Sequence, residues 1–213
     1  MARNKHPEAT VERILDVAQR LFLEKGYDRT TIQDIVDGLD GLTKGAVYHH
    51  FKSKEEIMSA VGDRMFFENN PFEAVRTRTD LNGLEKLREA VRLNQADEAR
   101  SRMTVQAVPI TQNPRVLVEM IESNRRVLTP YFLQLIEEGN RDGSIHTDYP
   151  REIAELLPLL TSLWLLPSVF PSTPEELAHK FRFIGEMLEK MGLPLFDDSI
   201  RALVDDFLAQ MAL

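Results

Sequence analysis

Small, basic and aromatic side chains come together in one short stretch of the chain, TKGAVYHHFKSK. Gly45 and Ala46 allow a helix to approach a neighbouring surface closely, while the side chain of Lys44 carries a positive charge. Tyr48 and His49 follow one turn later and would face the same side of that helix. These residue types suit hydrogen bonds and ion pairs with a nucleic-acid groove and its phosphates.

The same stretch offers further polar groups that suit a phosphate backbone. Thr43 can present its hydroxyl and a backbone N–H at the start of the helix. Lys52 and Lys54 follow where the chain would leave the groove, and we expect the Phe51 ring to pack inward. The residues therefore predict a DNA contact made by Thr43, Lys44, Gly45, Ala46, Tyr48, His49, Lys52 and Lys54.

Two short helices joined by a turn would position these side chains. Thr31 and, three residues later, Asp34 are similar to a capping box and predict the start of the first helix. Gly38 and Gly41 then interrupt the helical pattern, and Thr43 can cap the second helix. A short helix, a tight turn and a second helix form the arrangement that reaches into the major groove of DNA.

Helical periodicity continues along the chain, and no stretch alternates as a strand would. The first expected helices lie before Gly26 and over 31–36, 43–50 and 53–69. After a polar link at 71–82, further helices are expected over 82–108, 113–139 with a kink or division at Pro130, 150–168, 174–191 and 198–211. The sequence thus predicts an all-α fold of about nine or ten helices. We expect a helix-turn-helix domain over 1–54 and a larger helical domain over 55–213.

Residues 10–61 closely resemble the DNA-binding region of the TetR family of bacterial transcriptional regulators. The resemblance rests on the segments KGY at 25–27, TTIQDI at 30–35, KGAVYHHF at 44–51 and SKE at 53–55. It implies three helices packed on a fourth, and it adds Thr31 to the expected DNA contacts. On this resemblance we expect a repressor that binds a palindromic operator and is released by a small-molecule effector.

The turn between the two short helices departs from the family pattern. Family members usually have Ala-Gly-Val-Ser there, reached after one residue fewer. This chain has Leu-Asp-Gly-Leu-Thr at 39–43, an apparent one-residue insertion. Gly41, Leu42 and Thr43 still supply a turn, a buried apolar residue and a helix cap. The insertion bears on the angle between the helices and hence on the operator that they read.

Beyond residue 61 the resemblance concerns architecture alone, which implies a homodimer and an enclosed ligand pocket. We expect the helices over about 150–211 to form the dimer; the alternative is that they build the core of a monomer. Aromatic, methionine and amide side chains at helical spacing could line the pocket or simply pack a core. The candidates are Phe67, Met103, Gln106, Met120, Asn124, Tyr131, Phe132 and Trp164.

The sequence gives no support to an enzyme, a metal site or a cofactor. The chain contains no Cys, which excludes disulfides and thiolate ligands. It also lacks a phosphate loop, a His-Glu-x-x-His motif and a Gly-x-Ser-x-Gly motif. The adjacent His49 and His50 point about 100° apart on a helix and do not easily share one metal ion. We therefore expect no catalytic residue, no metal and no cofactor.

Charge and hydropathy bear on the partners of the chain. The net charge is −8, yet residues 1–54 carry nine basic and eight acidic side chains, so the acid lies away from the candidate DNA contact. The apolar stretch 153–170 contains Glu155 and two prolines and is short for a bilayer span, so we expect a cytoplasmic protein without membrane contact. The acidic balance and the altered turn favour one alternative, a helical ligand-binding or interaction protein that has lost DNA binding.

Overall fold

A computed structural model describes residues 7–107, 111 and 113–211. The regular structure of these residues is helical, without a strand, which confirms the predicted all-α fold. The described residues form two compact units. The first comprises residues 7–69 and 98–107, and the second comprises residues 70–97, 111 and 113–211.

The first unit closes around one apolar core. Its helices are α1 (Pro7–Lys25), α2 (Ile32–Asp37), α3 (Lys44–His50), α4 (Lys54–Glu68) and, from later in the chain, α7 (Glu98–Ala107). Phe22, Ile35, Val47 and Ile57 are fully buried in this core. Because each such side chain contributes about 1.5–3 kcal/mol on burial, the core fixes the two short helices that carry the predicted DNA contact.

A largely buried arginine attaches α4 to α1. The side chain of Arg64 is 12% exposed, and its Nη1 lies 2.7 Å from Asp16 Oδ1 and 3.3 Å from Glu12 Oε2. Its Nη2 donates to the amide oxygen of Gln19. Because these contacts bind α4 to α1, the compact unit continues past the boundary at residue 54 that the sequence predicts.

The second unit contains the remaining helices. They are α5 (Pro71–Arg76), α6 (Gly83–Ala96), α8 (Pro114–Ser123), α9 (Thr129–Asp142), α10 (Pro150–Leu159), α11 (Pro174–Lys190) and α12 (Asp198–Met211). Two π-helical segments extend them, Asn124–Leu128 between α8 and α9 and Leu160–Trp164 after α10. Proline opens α5, α8, α10 and α11, where its missing N–H leaves no intrahelical hydrogen bond unmade.

Two glycines bring α6 and α9 into backbone contact. A Cβ atom on Gly83 would lie 2.2 Å from the backbone nitrogen of Gly139. Close by, the Lys86 ammonium donates to Glu138 Oε1 at 2.6 Å, although the lysine side chain is only 7% exposed. A buried charge is tolerated when it is paired, and the close approach of the helices provides that pairing.

Two helix boundaries differ from the sequence prediction. The polar link predicted over 71–82 begins with helix α5, because Asn70 Oδ1 accepts hydrogen bonds from the backbone N–H groups of Phe72 and Glu73. The helix predicted over 82–108 divides at Asp97, the C-cap of α6, and α7 begins at the next residue. The predicted end of that helix at Val108 lies outside the described residues.

The helix predicted over 113–139 differs at its C-terminal end. The helix is divided just before Pro130, in agreement with the expected kink or division. The π-helical segment Asn124–Leu128 separates α8 from α9, and Pro130 lies in the first turn of α9, where proline is tolerated. Helix α9 ends only at Asp142, where Gly143 adopts a left-handed φ of 80°. None of the described helices is long and apolar enough to cross a membrane.

Gly83→Ala should destabilise the second unit, because the new methyl group would collide with the backbone of α9. We expect a loss of about 1–3 kcal/mol in the free energy of unfolding, the usual cost of overpacking. Urea unfolding followed by circular dichroism measures it.

Gly62→Ala is the control, since nothing lies within 4 Å of a Cβ atom built there. It should stabilise α4 by about 0.5–1 kcal/mol through helix propensity. Equal effects of the two substitutions would contradict the close contact between α6 and α9.

Candidate nucleic-acid interface

Helix α3 buries one side and exposes the other. Val47 is fully buried against the core of the first unit. Lys44, Gly45 and His49 are exposed, and the Tyr48 side chain is 45% exposed. Ala46 is half-buried beside them. The structure therefore brings the residues predicted for the groove together on one outward-facing helix surface, which we call the α3 face (Lys44, Gly45, Ala46, Tyr48, His49).

Thr43 begins α3 and remains available to a phosphate. Its backbone is extended, and its hydroxyl oxygen accepts a hydrogen bond from Ala46 N–H at 3.2 Å. The hydroxyl is thus used as an acceptor, and its proton can still be donated. An N-cap threonine of this kind stabilises the helix start, so Thr43 both fixes the α3 face and borders it.

Thr31 is placed differently, because its donors are already engaged. Its backbone N–H and its hydroxyl donate to Asp34 Oδ2 at 2.7 and 2.6 Å, and Asp34 N–H donates back to the hydroxyl oxygen. This capping box is the one that the sequence predicts. The hydrogen bond from Thr31 and the nearby Lys25 ammonium hold the pKa of Asp34 well below its usual range. Thr31 therefore serves the start of α2 in this conformation, and its DNA contact stays a prediction.

The two predicted lysines also differ from each other. The Lys54 ammonium donates to the carbonyl oxygens of Tyr27 and Thr30 at 2.8 and 2.9 Å and lies 4.0 Å from the centre of the Tyr27 ring. Lys52 is exposed, and its backbone N–H donates to Glu56 Oε2 at 2.5 Å. The geometry thus leaves the Lys52 side chain at the surface, whereas that of Lys54 ties α4 to the loop after α1.

Tyr27 forms hydrogen bonds with Lys54 and with two further side chains. This structural role of Tyr27 was not predicted from the sequence. Its hydroxyl donates to Glu55 Oε1 at 3.1 Å, and its backbone N–H donates to Gln106 Oε1 at 3.0 Å. Burial, and next the Glu55 carboxylate, raise the pKa of the Tyr27 hydroxyl, which therefore remains a donor. We call this set the Tyr27 node (Tyr27, Lys54, Glu55, Gln106). The sequence feature that could have indicated this role of Tyr27 is the KGY segment at 25–27.

The residues predicted to line an effector pocket fall into both units. In the first unit Phe67 is 56% exposed, Met103 is buried in the core, and Gln106 belongs to the Tyr27 node. Met120, Asn124, Tyr131, Phe132 and Trp164 lie in the second unit. Sequence reasoning therefore grouped residues that have different surroundings, and the pocket itself stays a prediction.

Within the second unit the candidates form separate contacts. The rings of Tyr131 and Phe132 lie about 5 Å from Phe72, the first stacked and the second edge-on. Asn124 Nδ2 donates to Ser162 Oγ at 2.9 Å and so connects the two π-helical segments. Trp164 packs edge-on against Phe183. Half-buried Met120 lies on α8.

An open surface cleft of about 490 Å³ lies elsewhere in the second unit. Its lining is Pro171, Ser172, Glu175, Glu176, His179 and Lys180, none of which the sequence had suggested. The Lys180 ammonium is occupied there by Ser172 Oγ at 2.6 Å and by the carbonyl oxygen of Trp164. The cleft therefore lacks a free central cation, and we assign it no ligand.

A capped helix-turn-helix with an outward-facing α3 face, in a chain whose described regular structure is helical, has the features of a DNA-binding regulator. Comparison with known proteins agrees with this class. The family model described as "Bacterial regulatory proteins, tetR family" matches residues 14–61. The transcriptional repressor KstR2 of Rhodococcus jostii is 30% identical over 148 residues, which cover 66% of this chain and 70% of the repressor. The chain belongs to the TetR family of regulatory proteins, whose members bind DNA rather than catalyse reactions.

Two further relatives match over a smaller part of their length. The transposon Tn10 TetC protein of Escherichia coli is covered over 40% of its own chain. The transcriptional regulator TtgR of Pseudomonas putida is covered over 31% of its own chain. Solved structures agree in fold: Salmonella enterica GusR has a TM-score of 0.60 at 21% identity and covers 90% of this chain and 99% of its own. A regulator from Saccharomonospora viridis, crystallised in complex with choline, has a TM-score of 0.54 at 21% identity, covering 85% and 96%.

Thr31→Ala should raise the pKa of Asp34 towards the ordinary value of about 3.9, because the Thr31 hydroxyl is the main cause of its depression. A depressed pKa stabilises the fold above the unfolded pKa, and this contribution disappears as the pH falls through the folded pKa. The variant should therefore lose stability at neutral pH and approach the wild type in acid. NMR titration of the carboxyl carbons measures the pKa.

The control for this titration is Ser53→Ala, which removes the N-cap of α4 and should leave the Asp34 pKa unchanged. If Thr31→Ala also left it unchanged, the capping box would not be the cause of the depression.

Lys54→Ala should destabilise the first unit, because it leaves two carbonyl oxygens without their charged donor. We expect a loss of about 1.5–3 kcal/mol, typical of hydrogen bonds to a charged group. Lys52→Ala, two residues away and exposed, should change the stability by less than about 0.5 kcal/mol. Thermal unfolding compares them, and equal losses would contradict the structural part given to Lys54.

Proposed function

We propose that this chain is a transcriptional repressor that binds a palindromic operator and releases it when a small-molecule effector binds. The observation that carries the proposal is the α3 face, in which charged, small and aromatic side chains point outward from a helix anchored by Val47. A helix with this surface is suited to the major groove, where side chains read base edges. The family of the chain supports the same reading.

In the proposed complex, α3 enters the groove with its N-terminal residues foremost. Lys44, Tyr48 and His49 contact bases or the phosphates beside them, while Gly45 and Ala46 allow the backbone to approach. The Thr43 hydroxyl and the Lys52 ammonium contact phosphates on either side of the groove. Thr31 and Lys54 support this arrangement by holding α2 and α4, since their hydrogen bonds would have to be exchanged before they could reach DNA.

The operator reading requires two copies of the chain. We propose a homodimer through residues 150–211, because a palindromic site is read by a twofold-symmetric pair of heads. Apolar side chains remain at the surface of this region, with Phe183 55%, Phe170 48% and Leu159 37% exposed. Burying them against a second copy would remove this apolar surface from water.

The effector is proposed to bind within the second unit. Asn124 and Ser162 offer polar groups in two adjacent π-helical segments, and such segments often occur at functional sites. Aromatic rings at Tyr131, Phe132 and Trp164 offer the apolar surface that a small-molecule site requires. The choline complex of the S. viridis regulator supports the expectation only at the level of fold.

The direct test is operator selection from a random duplex library with the purified protein. An enriched inverted repeat supports a dimeric, sequence-specific regulator and provides the probe for effector screening. If a folded protein enriched no sequence at low salt, a helical ligand-binding protein without DNA function would become the better account.

Tyr48→Ala should weaken binding to the enriched duplex by about tenfold or more, because a base-edge or groove contact is worth roughly 1–3 kcal/mol. Tyr149→Ala is the matched control, since its side chain is 55% exposed but lies in the second unit. Fluorescence anisotropy measures affinity, and light scattering confirms an unchanged oligomeric state. Equal affinity of the Tyr48 variant and the wild type would remove Tyr48 from the interface.

A further inference from the structure

The turn that carries the apparent insertion has a defined conformation. Leu42 N–H donates to the carbonyl oxygen of Leu39 at 3.3 Å, which closes a four-residue turn. Gly41 has a φ of 76°, whereas no described residue other than glycine has a positive φ. A negative φ at the second residue and a positive φ at the third are the pattern of a type II β-turn. The apparent insertion is therefore accommodated in a regular turn that depends on Gly41.

Helix α1 contacts both this turn and Gly38, the C-cap of α2 that precedes it. Arg13 Nη2 donates to the carbonyl oxygen of Asp40 at 3.0 Å. One helical turn later, Val17 packs so closely on Gly38 that a Cβ atom there would lie 2.6 Å from its Cγ1. Because Arg13 and Val17 are four residues apart, they share one side of α1. That side of α1 follows the chain from the end of α2 into the turn.

Arg13 and Gly41 act on the same peptide group. In a type II turn the central peptide, here Asp40–Gly41, is rotated by about 180° relative to a type I turn, and only this rotation requires a positive φ at the third residue. The carbonyl oxygen that Arg13 binds belongs to that peptide. The guanidinium therefore favours the same turn type that Gly41 permits. Thr43, two residues further on, is the N-cap of α3. The turn type therefore determines the orientation of α3 relative to α2.

We propose that Arg13 is a positioning residue for DNA reading, and that it aims the α3 face by holding the Asp40–Gly41 peptide in the type II orientation. The inference rests on the proposed operator binding. It assigns to α1 a part in sequence specificity without direct contact between α1 and the bases. The apparent insertion then becomes part of the recognition geometry.

The test compares two probes, the inverted repeat enriched by the wild type and a scrambled duplex of equal length. Arg13→Ala should bind the enriched duplex about five- to tenfold more weakly, the range expected for the loss of one exposed hydrogen bond from a charged donor. Its affinity for the scrambled duplex should change by less than about twofold. Arg13→Lys, which keeps a charged donor, should recover most of the lost affinity.

Two further variants separate positioning from charge. Arg20→Ala removes an exposed arginine two turns along α1 that lies 4.0 Å from Glu24, and it should affect neither probe selectively. Gly41→Ala should resemble Arg13→Ala on the enriched duplex. The double variant should be little weaker than the weaker single one, because both changes release the same peptide and coupled residues are not additive.

Distinct outcomes would overturn the inference. Equal losses on both probes would show that Arg13 contacts phosphate, and unchanged affinity of Arg13→Ala for the enriched duplex would remove the residue from recognition. Additive losses in the double variant would mean that Arg13 and Gly41 act separately. If the wild type enriched no duplex, the proposed function would fail and this inference with it. Enrichment by the wild type with no effect of Arg13→Ala would refute the inference alone.

Discussion

The position of the helix-turn-helix depends on the loop between α1 and α2. Hydrogen bonds to the backbone and to the side chain of one residue, Tyr27, hold this loop in place. The Tyr27 carbonyl oxygen accepts from Lys54, its N–H donates to Gln106, and its hydroxyl donates to Glu55. The loop thereby joins α4 and α7 to the start of α2. Because the node is partly buried, each unmade bond would cost more than the bond itself contributes.

This constraint divides the polar residues of the first unit into two groups. Lys54, Thr31 and Arg64 have carbonyl or carboxylate partners within the unit and hold its helices together. The α3 face and Lys52 lie outside these networks and remain at the surface. Segregation of this kind allows recognition residues to change with the operator while the support stays intact. It also explains how a chain with net charge −8 can present a local surface suited to DNA, since affinity depends on charges near the phosphates.

Local patterns in the sequence predicted local structure well. The Thr31–Asp34 capping box and the Thr43 cap were both readable, because each is made by residues three positions apart. The inward packing of Phe51, which is 7% exposed, follows from the same periodicity. The family resemblance supplied the function of these elements. In contrast, the bonds of Lys54 and Gln106 to Tyr27 join positions 27 and 79 residues apart, and spacing along the chain does not reveal such partners.

The second unit was predicted less fully, for a related reason. The two π-helical segments involve groups that meet only in space, such as Asn124 with Ser162. Aromatic residues at helical spacing are equally consistent with a core and with a pocket, so Tyr131 and Phe132 could not be assigned from sequence. The Arg13 contact with the turn likewise required the position of α1 beside Asp40.

The most direct test of the central claim, that the α3 face reads DNA, is NMR mapping of the amide resonances of the protein as the enriched duplex is added. The account predicts that the largest changes occur from Thr43 to His49 and at Lys52, with smaller changes in the turn before α3. Residues buried in the second unit, such as Ile136 and Ile184, should change little. Large changes confined to the second unit, with α3 unaffected, would contradict the account.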